Sequence, residues 1–200
     1  LAERRQARAE GGPPAPERDA ATIASAVATR AVTMLAPGVP GFARALNGRV
    51  ATVFPRFSDL APRITIEPEL CDERGYLTSA FGAAGVQVDP VIVGIEPTPD
   101  EITAAAGRAA ASDATVLFLF DAHLYTSNRA LLDAVQSRAR ALAVVLLRDP
   151  YDAALLDPRA VGITAYGFRK CQLDAVIARM CYSWGPRNGP HTPRRSGAIG

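Results

Sequence analysis

Two stretches narrow the folds open to this chain more than anything else in it. "ATVLFLF" (114–120) and "LAVVLL" (142–147) carry almost no polar residue and show no polar alternation. A strand with one wet face alternates apolar and polar residues. A strand apolar throughout is buried on both faces, as in a parallel sheet covered by helices. Between the two lies "NRALLDAVQSRARA", where Leu131, Leu132 and Val135 recur at a helical spacing. Strand, helix and strand in that order predict the α/β class. The expected architecture is a three-layer α/β/α sandwich with a mainly parallel, doubly wound sheet, the two apolar strands at its centre.

The rest of the chain continues the alternation. "DAATIASAVATRAVTML" predicts a helix with Ile23, Val27, Ala31 and Met34 inward, and "RVATVF" (Arg49–Phe54) a strand. "LTSAFGAAG" predicts a helix closed by Gly85 as its C′ glycine. "VDPVIVGI" is a strand, "PDEITAAAGRAAAS" a helix, "VGITAY" a weaker strand and "QLDAVIARMCYSW" the last helix. Residues 1–18 and 185–200 are rich in charge, Gly and Pro and cannot bury an apolar face. The expected domain is therefore 19–184, preceded by a linker or the end of an upstream helix and followed by a loose tail.

Bulk properties exclude several classes. Hydrophobic residues are 48% and charged residues 21% of 200, ordinary for a soluble globular domain. A net charge of +2 gives no basis for nucleic-acid binding. Lys170 is the only lysine, which reads as a coding bias towards arginine. No apolar stretch approaches the ~20 residues of a membrane span. With no visible signal peptide the expected compartment is the cytoplasm, although a start without Met suggests a processed or truncated chain. Cys71, Cys171 and Cys181 are too few and too scattered for a disulfide framework; they are expected as reduced, buried small hydrophobes.

In an open α/β sheet, ligands bind beyond the carboxyl ends of the strands. "PRFSDLAPR" after Phe54 lacks the glycines that bring backbone amides to a phosphate, and no dinucleotide or P-loop motif occurs elsewhere. No cofactor is expected. "DAHLYTSN" after Phe120 offers Asp121 and His123, an acid/base pair or half a metal site. Metal sites want several ligands, and the only other histidine, His191, lies in the tail; no metal is expected. The plainer reading makes His123 a polar loop residue before a helix capped by Thr126 or Ser127. A phosphoacceptor receiver would need acidic residues where Pro55-Arg56 stand, and no G-x-S-x-G elbow is present.

"RDPYD" follows the second apolar strand. Asp149 precedes a proline and is pushed to extended geometry. Pro150 then fits a first helical position, with Asp152 placed to reinforce the cap. "TPDE" at Thr98–Glu101 repeats the device. A pattern used twice reads as a way to start helices. Arg148 and Tyr151 are left over, and with Asp121 and His123 they form the candidate binding set.

"ALAVVLLRDPYDAALLDPRAVGITAYGFRKCQLDAVIARM" resembles the C-terminal α/β domain of glycoside hydrolase family 3, most of all its bacterial β-N-acetylhexosaminidase branch. The family's Arg-Asn/Ser-Pro-Tyr-Asp is matched by Arg148–Asp152. Its following tyrosine-ended segment is matched by Thr164-Ala165-Tyr166. "FLFDAHLYTSNRALLDAV" resembles the preceding strand–helix unit, with Asp121 where the family often has Asn, and "IASAVATRAVTML" the helix that opens the domain. The likeness runs over 19–184; the tail after Trp184 departs from the family's ending. It implies an accessory domain of a retaining glycosidase whose partner is a catalytic (β/α)8 barrel, in cis or trans. Retaining hydrolysis places two carboxyls about 5 Å apart across the sugar, and in this branch both catalytic groups belong to the barrel. No catalytic residue is then expected here, although other branches lend one from this domain. The alternative is a doubly wound module holding a small ligand around Asp121, His123, Arg148 and Tyr151.

Overall fold

The computed structural model describes residues 19–38 and 40–184; the linker and tail assigned to 1–18 and 185–200 lie outside them. The elements in chain order are α1 (Ala20–Ala31), β1 (Thr33–Pro37), α2 (Phe42–Ala45), β2 (Val50–Pro55), α3 (Glu73–Gly82), β3 (Val88–Val93), α4 (Pro99–Ala111), β4 (Ala114–Leu119), α5 (Thr126–Arg138), β5 (Leu142–Leu146), β6 (Val161–Thr164) and α6 (Lys170–Trp184). Short 3₁₀ turns at Phe57–Asp59, Pro68–Cys71 and Tyr151–Leu155 link them.

The six strands form one sheet in the order β1-β6-β5-β4-β2-β3. All neighbours are parallel except β1, which runs antiparallel along β6. The two apolar strands, β4 and β5, occupy the middle as expected. Every residue of both is buried. Their side chains divide between two cores. Val116, Phe118, Ala143 and Val145 face Tyr76, Leu77 and Phe81 of α3 and Leu173, Val176 and Ile177 of α6. Leu117, Leu119, Val144 and Leu146 face Ala105 and Ala109 of α4 and Leu131, Leu132 and Val135 of α5. The missing alternation is thus explained: each face meets its own helix layer. On the α3/α6 side Phe54 packs edge-on against Phe57 and Phe118, with ring centres 5.0 and 4.9 Å away, a favoured geometry for aromatic pairs.

Two caps follow their sequence signatures. At α4 the Thr98 hydroxyl accepts from the Glu101 N–H while the Glu101 carboxylate accepts from the Thr98 N–H, a closed capping box with Pro99 at the first helical position. At the end of α3, Gly85 takes φ +77°, and the Val86 and Gly85 N–H groups return to the carbonyls of Phe81 and Gly82. That is the Schellman pattern, and the residue at its C′ position is the glycine expected there.

The opening helix differs from expectation. It stops at Ala31, and the apolar segment after it becomes β1 on the sheet's free edge. Periodicity alone does not separate a short apolar strand from the continuation of a helix. The inward face also differs: Ile23 and Val27 are 48% and 61% exposed, and Ala28 is the buried residue of α1. The cysteines are free, but only Cys181 is buried; Cys71 and Cys171 are half-buried.

Candidate functional site

The helices on the two faces mark where the sheet's winding reverses. α3, after β2, lies on one face, and α5, after β4, lies on the other. β2 and β4 are neighbours. Their carboxyl ends therefore frame a topological switch point, the usual ligand crevice of open α/β sheets. The candidate residues follow β4 and its neighbour β5 at this edge.

Immediately after β4 the chain turns sharply. Asp121 has φ +44°, in the left-handed region, which Asp tolerates better than most residues. Its carbonyl accepts from the Leu124 and Tyr125 N–H groups, closing the turn into α5. The turn holds the Asp121 side chain in the protein, only 2% exposed. There its carboxylate accepts from Arg148 Nη1 at 2.5 Å. Burial pushes the Asp121 carboxyl above its usual range, while the charge and hydrogen bond of Arg148 pull the other way. The guanidinium lies 5.9 Å from the centre of the Phe120 ring, and half of the Arg148 side chain remains exposed.

Asp152 makes the second tie across the edge. Its carboxylate accepts from the Ala122 N–H, the His123 N–H and His123 Nδ1, each at 2.8 Å. A carboxylate can only accept, so Nδ1 carries the proton and Nε2 is the ring nitrogen left for another group. The imidazole is 29% exposed. Tyr151 stands edge-on to it, ring centres 5.6 Å apart, and is 72% exposed. At the end of β6 the Thr164 hydroxyl donates to the Leu146 carbonyl and accepts from the Tyr166 N–H. Tyr166, at φ +58°, is turned out and 47% exposed.

The four candidates, Asp121, His123, Arg148 and Tyr151, thus meet at one edge, linked in two pairs. Several local expectations change. Asp149 Oδ1 does accept a backbone bond at this corner, from the Tyr151 N–H at 3.0 Å, but the N-cap is Pro150. The helix that starts here is a 3₁₀ turn, and Pro150 precedes that turn where a first helical position was expected. Asp152 does not reinforce this cap; it is spent on the β4 loop. His123 lies on the exposed loop before α5, as expected, and its ring is held there by Asp152. Neither Thr126 nor Ser127 caps α5, whose N-cap is Tyr125 without a side-chain bond; the Asp121 carbonyl takes the N–H groups of Leu124 and Tyr125, just ahead of the helix. The tie made by Asp152 and the exposure of Tyr166 at this edge were missed. The partners of Asp152 lie about thirty positions away, a pairing that no local motif announces. Tyr166 did carry a signal: a large aromatic directly after an apolar strand.

The edge has the composition of a contact surface: aromatic side chains and an arginine, the types over-represented at binding hot spots, on a buried hydrogen-bonded base. Among the described residues no helix is long and apolar enough to cross a membrane.

No family model matches the chain, and no curated protein matches it. Its fold is found in solved structures. A glycoside hydrolase family 3 β-N-acetylglucosaminidase from Paenibacillus sp. str. FPU-7 superposes with a TM-score of 0.68 at 17% identity, over 92% of this chain and 37% of that one. A fungal multi-domain family 3 β-N-acetylglucosaminidase gives a TM-score of 0.59 at 15% identity, over 84% of this chain and 18% of that one. A family 3 β-glucosidase from Bifidobacterium adolescentis gives 0.58 at 16% identity, over 82% and 27%. At these identities the likeness establishes the fold. The chain spans well under half of each of these proteins.

Proposed function

We propose that this chain is the accessory C-terminal α/β domain of a family 3 glycoside hydrolase of β-N-acetylhexosaminidase or β-glucosidase type, with 19–184 as the folded unit and a catalytic (β/α)8 barrel as its partner. The observation that carries the reading is the asymmetry of coverage: 92% of this chain corresponds to 37% of a family 3 enzyme. The sequence resemblance around Arg148–Asp152 and Tyr166 supports it independently.

In this reading the edge that bears Arg148, Tyr151 and Tyr166 faces the barrel. Asp121 and Asp152 stay behind it and hold the contact residues in place. The domain is inactive alone, because the carboxylate nucleophile belongs to the barrel. The test has two arms. The purified chain should not turn over aryl β-N-acetylglucosaminides or aryl β-glucosides above buffer. Tyr151→Ala should leave its fold intact but weaken its association with a barrel domain supplied in trans; Arg148→Ala should weaken that association too, at some cost in stability because it strands the buried Asp121 carboxylate. Turnover abolished by a point substitution in this chain would overturn the reading.

The switch-point location favours a second reading, a module that holds a small ligand between Asp121, His123, Arg148 and Tyr151. It differs in its test: ligand shifts at these residues would appear with the barrel absent.

A further inference from the structure

α3 and α6 run side by side in the same direction. Near their starts the Tyr76 hydroxyl donates to Asp174 Oδ1 at 2.9 Å. Near their ends the Tyr182 hydroxyl donates to the Ala83 carbonyl at 3.4 Å. Between the helices lies a groove of about 550 Å³. Its walls are two rows spaced i, i+4 and i+8: Tyr76, Ala80 and Ala84 on one side, Asp174, Ala178 and Tyr182 on the other. Rows of that spacing are the ridges against which a further helix packs, and how closely it approaches depends on the side chains at the contact. Here the middle of each row is alanine.

Charge gathers where the two helices start. Asp174 Oδ2 accepts from Lys170 Nζ at 2.7 Å. Glu69 and Asp72 line the same end, and Asp72 also caps α3 by accepting from the Gly75 N–H. Lys170 matches Asp174, which leaves Glu69 and Asp72 in excess. None of the described arginines lines the groove, in a chain whose basic residues are all arginine apart from Lys170.

We propose that this groove is the docking site of a partner polypeptide: one short amphipathic helix, antiparallel to α3 and α6, with arginine or lysine in its last turn. The rows fix the shape of the occupant and the surplus carboxylates fix its charge. Its apolar stripe covers the alanines, the helix-in-groove mode in which anchors recur at i, i+3 or i+4, and i+7. Its basic residues reach Glu69 and Asp72. The carbonyls of its last turn have no partner within their own helix. They accept from Lys170 Nζ, an ammonium with three donors of which Asp174 takes one. The antiparallel sense also brings the partner's negative dipole end to the positive starts of α3 and α6. The groove shares no residue with the edge that bears His123 and Tyr151, so this contact and barrel docking are separate.

The test is an amide chemical-shift titration of the full ¹⁵N-labelled chain with three synthetic helical peptides of alanine, leucine and glutamine, each about 15 residues long. One ends in Arg-Arg, one ends in Glu-Glu and one begins with Arg-Arg. The first should give saturable shifts at Gly75, Ser79, Ala83 and Ala178, the second none, and the third should bind about tenfold more weakly. Glu69→Lys, at an exposed position, and Ala178→Gln, which raises the groove floor, should each weaken the first peptide about tenfold, the scale of one hot-spot contact; the variants' own spectra report that they are folded. Absence of saturable groove shifts would overturn the proposal. So would equal binding of the Glu-Glu peptide or of the peptide that begins with Arg-Arg, binding unchanged in both variants, or shifts confined to the His123–Tyr151 edge. Two results without any peptide would overturn it by naming another occupant. Groove amides that move on dilution would mean a second copy of the chain, and groove amides that move in Arg194→Glu with Arg195→Glu would mean the chain's own tail.

Discussion

Two corners of the molecule are written almost alike and built differently. Thr98-Pro99-Asp100-Glu101 and Asp149-Pro150-Tyr151-Asp152 each place a capping residue, a proline and, three positions on, an acid. At the first corner the acid closes the box on its own cap, and Glu101 also accepts from the Gly94 N–H and from Arg56. A helix of 13 residues grows from it. At the second corner Asp149 makes only the short turn onto Tyr151, and Asp152 leaves for the β4 loop. This corner leads only into a 3₁₀ turn of five residues. Where a neighbouring loop presents two free N–H groups and an imidazole, a carboxylate does better there than at a cap, since bonds made by a buried charge are the strong ones. The same local sequence serves chain geometry in one place and tertiary assembly in the other.

That contrast predicts a ranking of stability losses, read from urea midpoints. Asp152→Ala should cost the most, about 3 kcal/mol, because it strands buried N–H groups. Asp152→Asn should recover only part, since an amide offers one accepting oxygen. If Asp152→Ala costs no more than a cap substitution, the second corner is a local device after all. Thr98→Ala should come next, about 1 kcal/mol, the usual cost of losing a cap.

The first corner also predicts a pH dependence. Burial pushes the Glu101 carboxyl up, but the hydrogen bonds from Thr98, Gly94 and Arg56 outweigh it and leave it below its ordinary 4.5. A carboxyl lowered by folding contributes stability above its unfolded value and loses it as pH falls through the folded one. Stability should therefore fall on acidification below pH 4.5, and Glu101→Gln should flatten that limb. A limb of unchanged slope would mean that Glu101 is not the group responsible.

Asp149→Ala should cost less than Thr98→Ala, about 0.5 kcal/mol, for a single exposed turn bond, and Asp149→Asn less again. Equal losses for Asp149→Ala and Thr98→Ala would erase the contrast between the corners. Tyr151→Ala should sit at the bottom, within about 0.5 kcal/mol of the parent, as an exposed surface substitution. A larger loss would mean that its ring supports His123 and the fold as well as any partner.

The sheet was legible because the physics that sets it is local and repeated. Leu117 and Val116 must each be apolar if β4 is covered twice, and the sequence carries that at every position of the strand but Thr115. The Thr98 box and Gly85 were legible for the same reason, as each motif contains its own partners. α1 was not. Ile23 and Val27 have the right spacing for a buried stripe, yet Ala28 is the residue that packs inward. Segment 33–37 became a strand only because β6 had a free edge to pair with. At the candidate edge, residue types at strand ends identified Asp121, His123, Arg148 and Tyr151. The ties among them, Asp152 to His123 and Arg148 to Asp121, join loops about thirty residues apart and exist only once β4 and β5 lie side by side.

The bond from Asp152 to the turn after β4 has a consequence for how the edge meets anything. Fixing one backbone residue costs about 1–2 kcal/mol of conformational entropy, and a partner that must order a loop on arrival loses that much affinity for each residue ordered. Here the ordering is completed during folding. Residues 120–125 and 148–152 are already one piece when a visitor arrives, so association should involve little loss of disorder on this side.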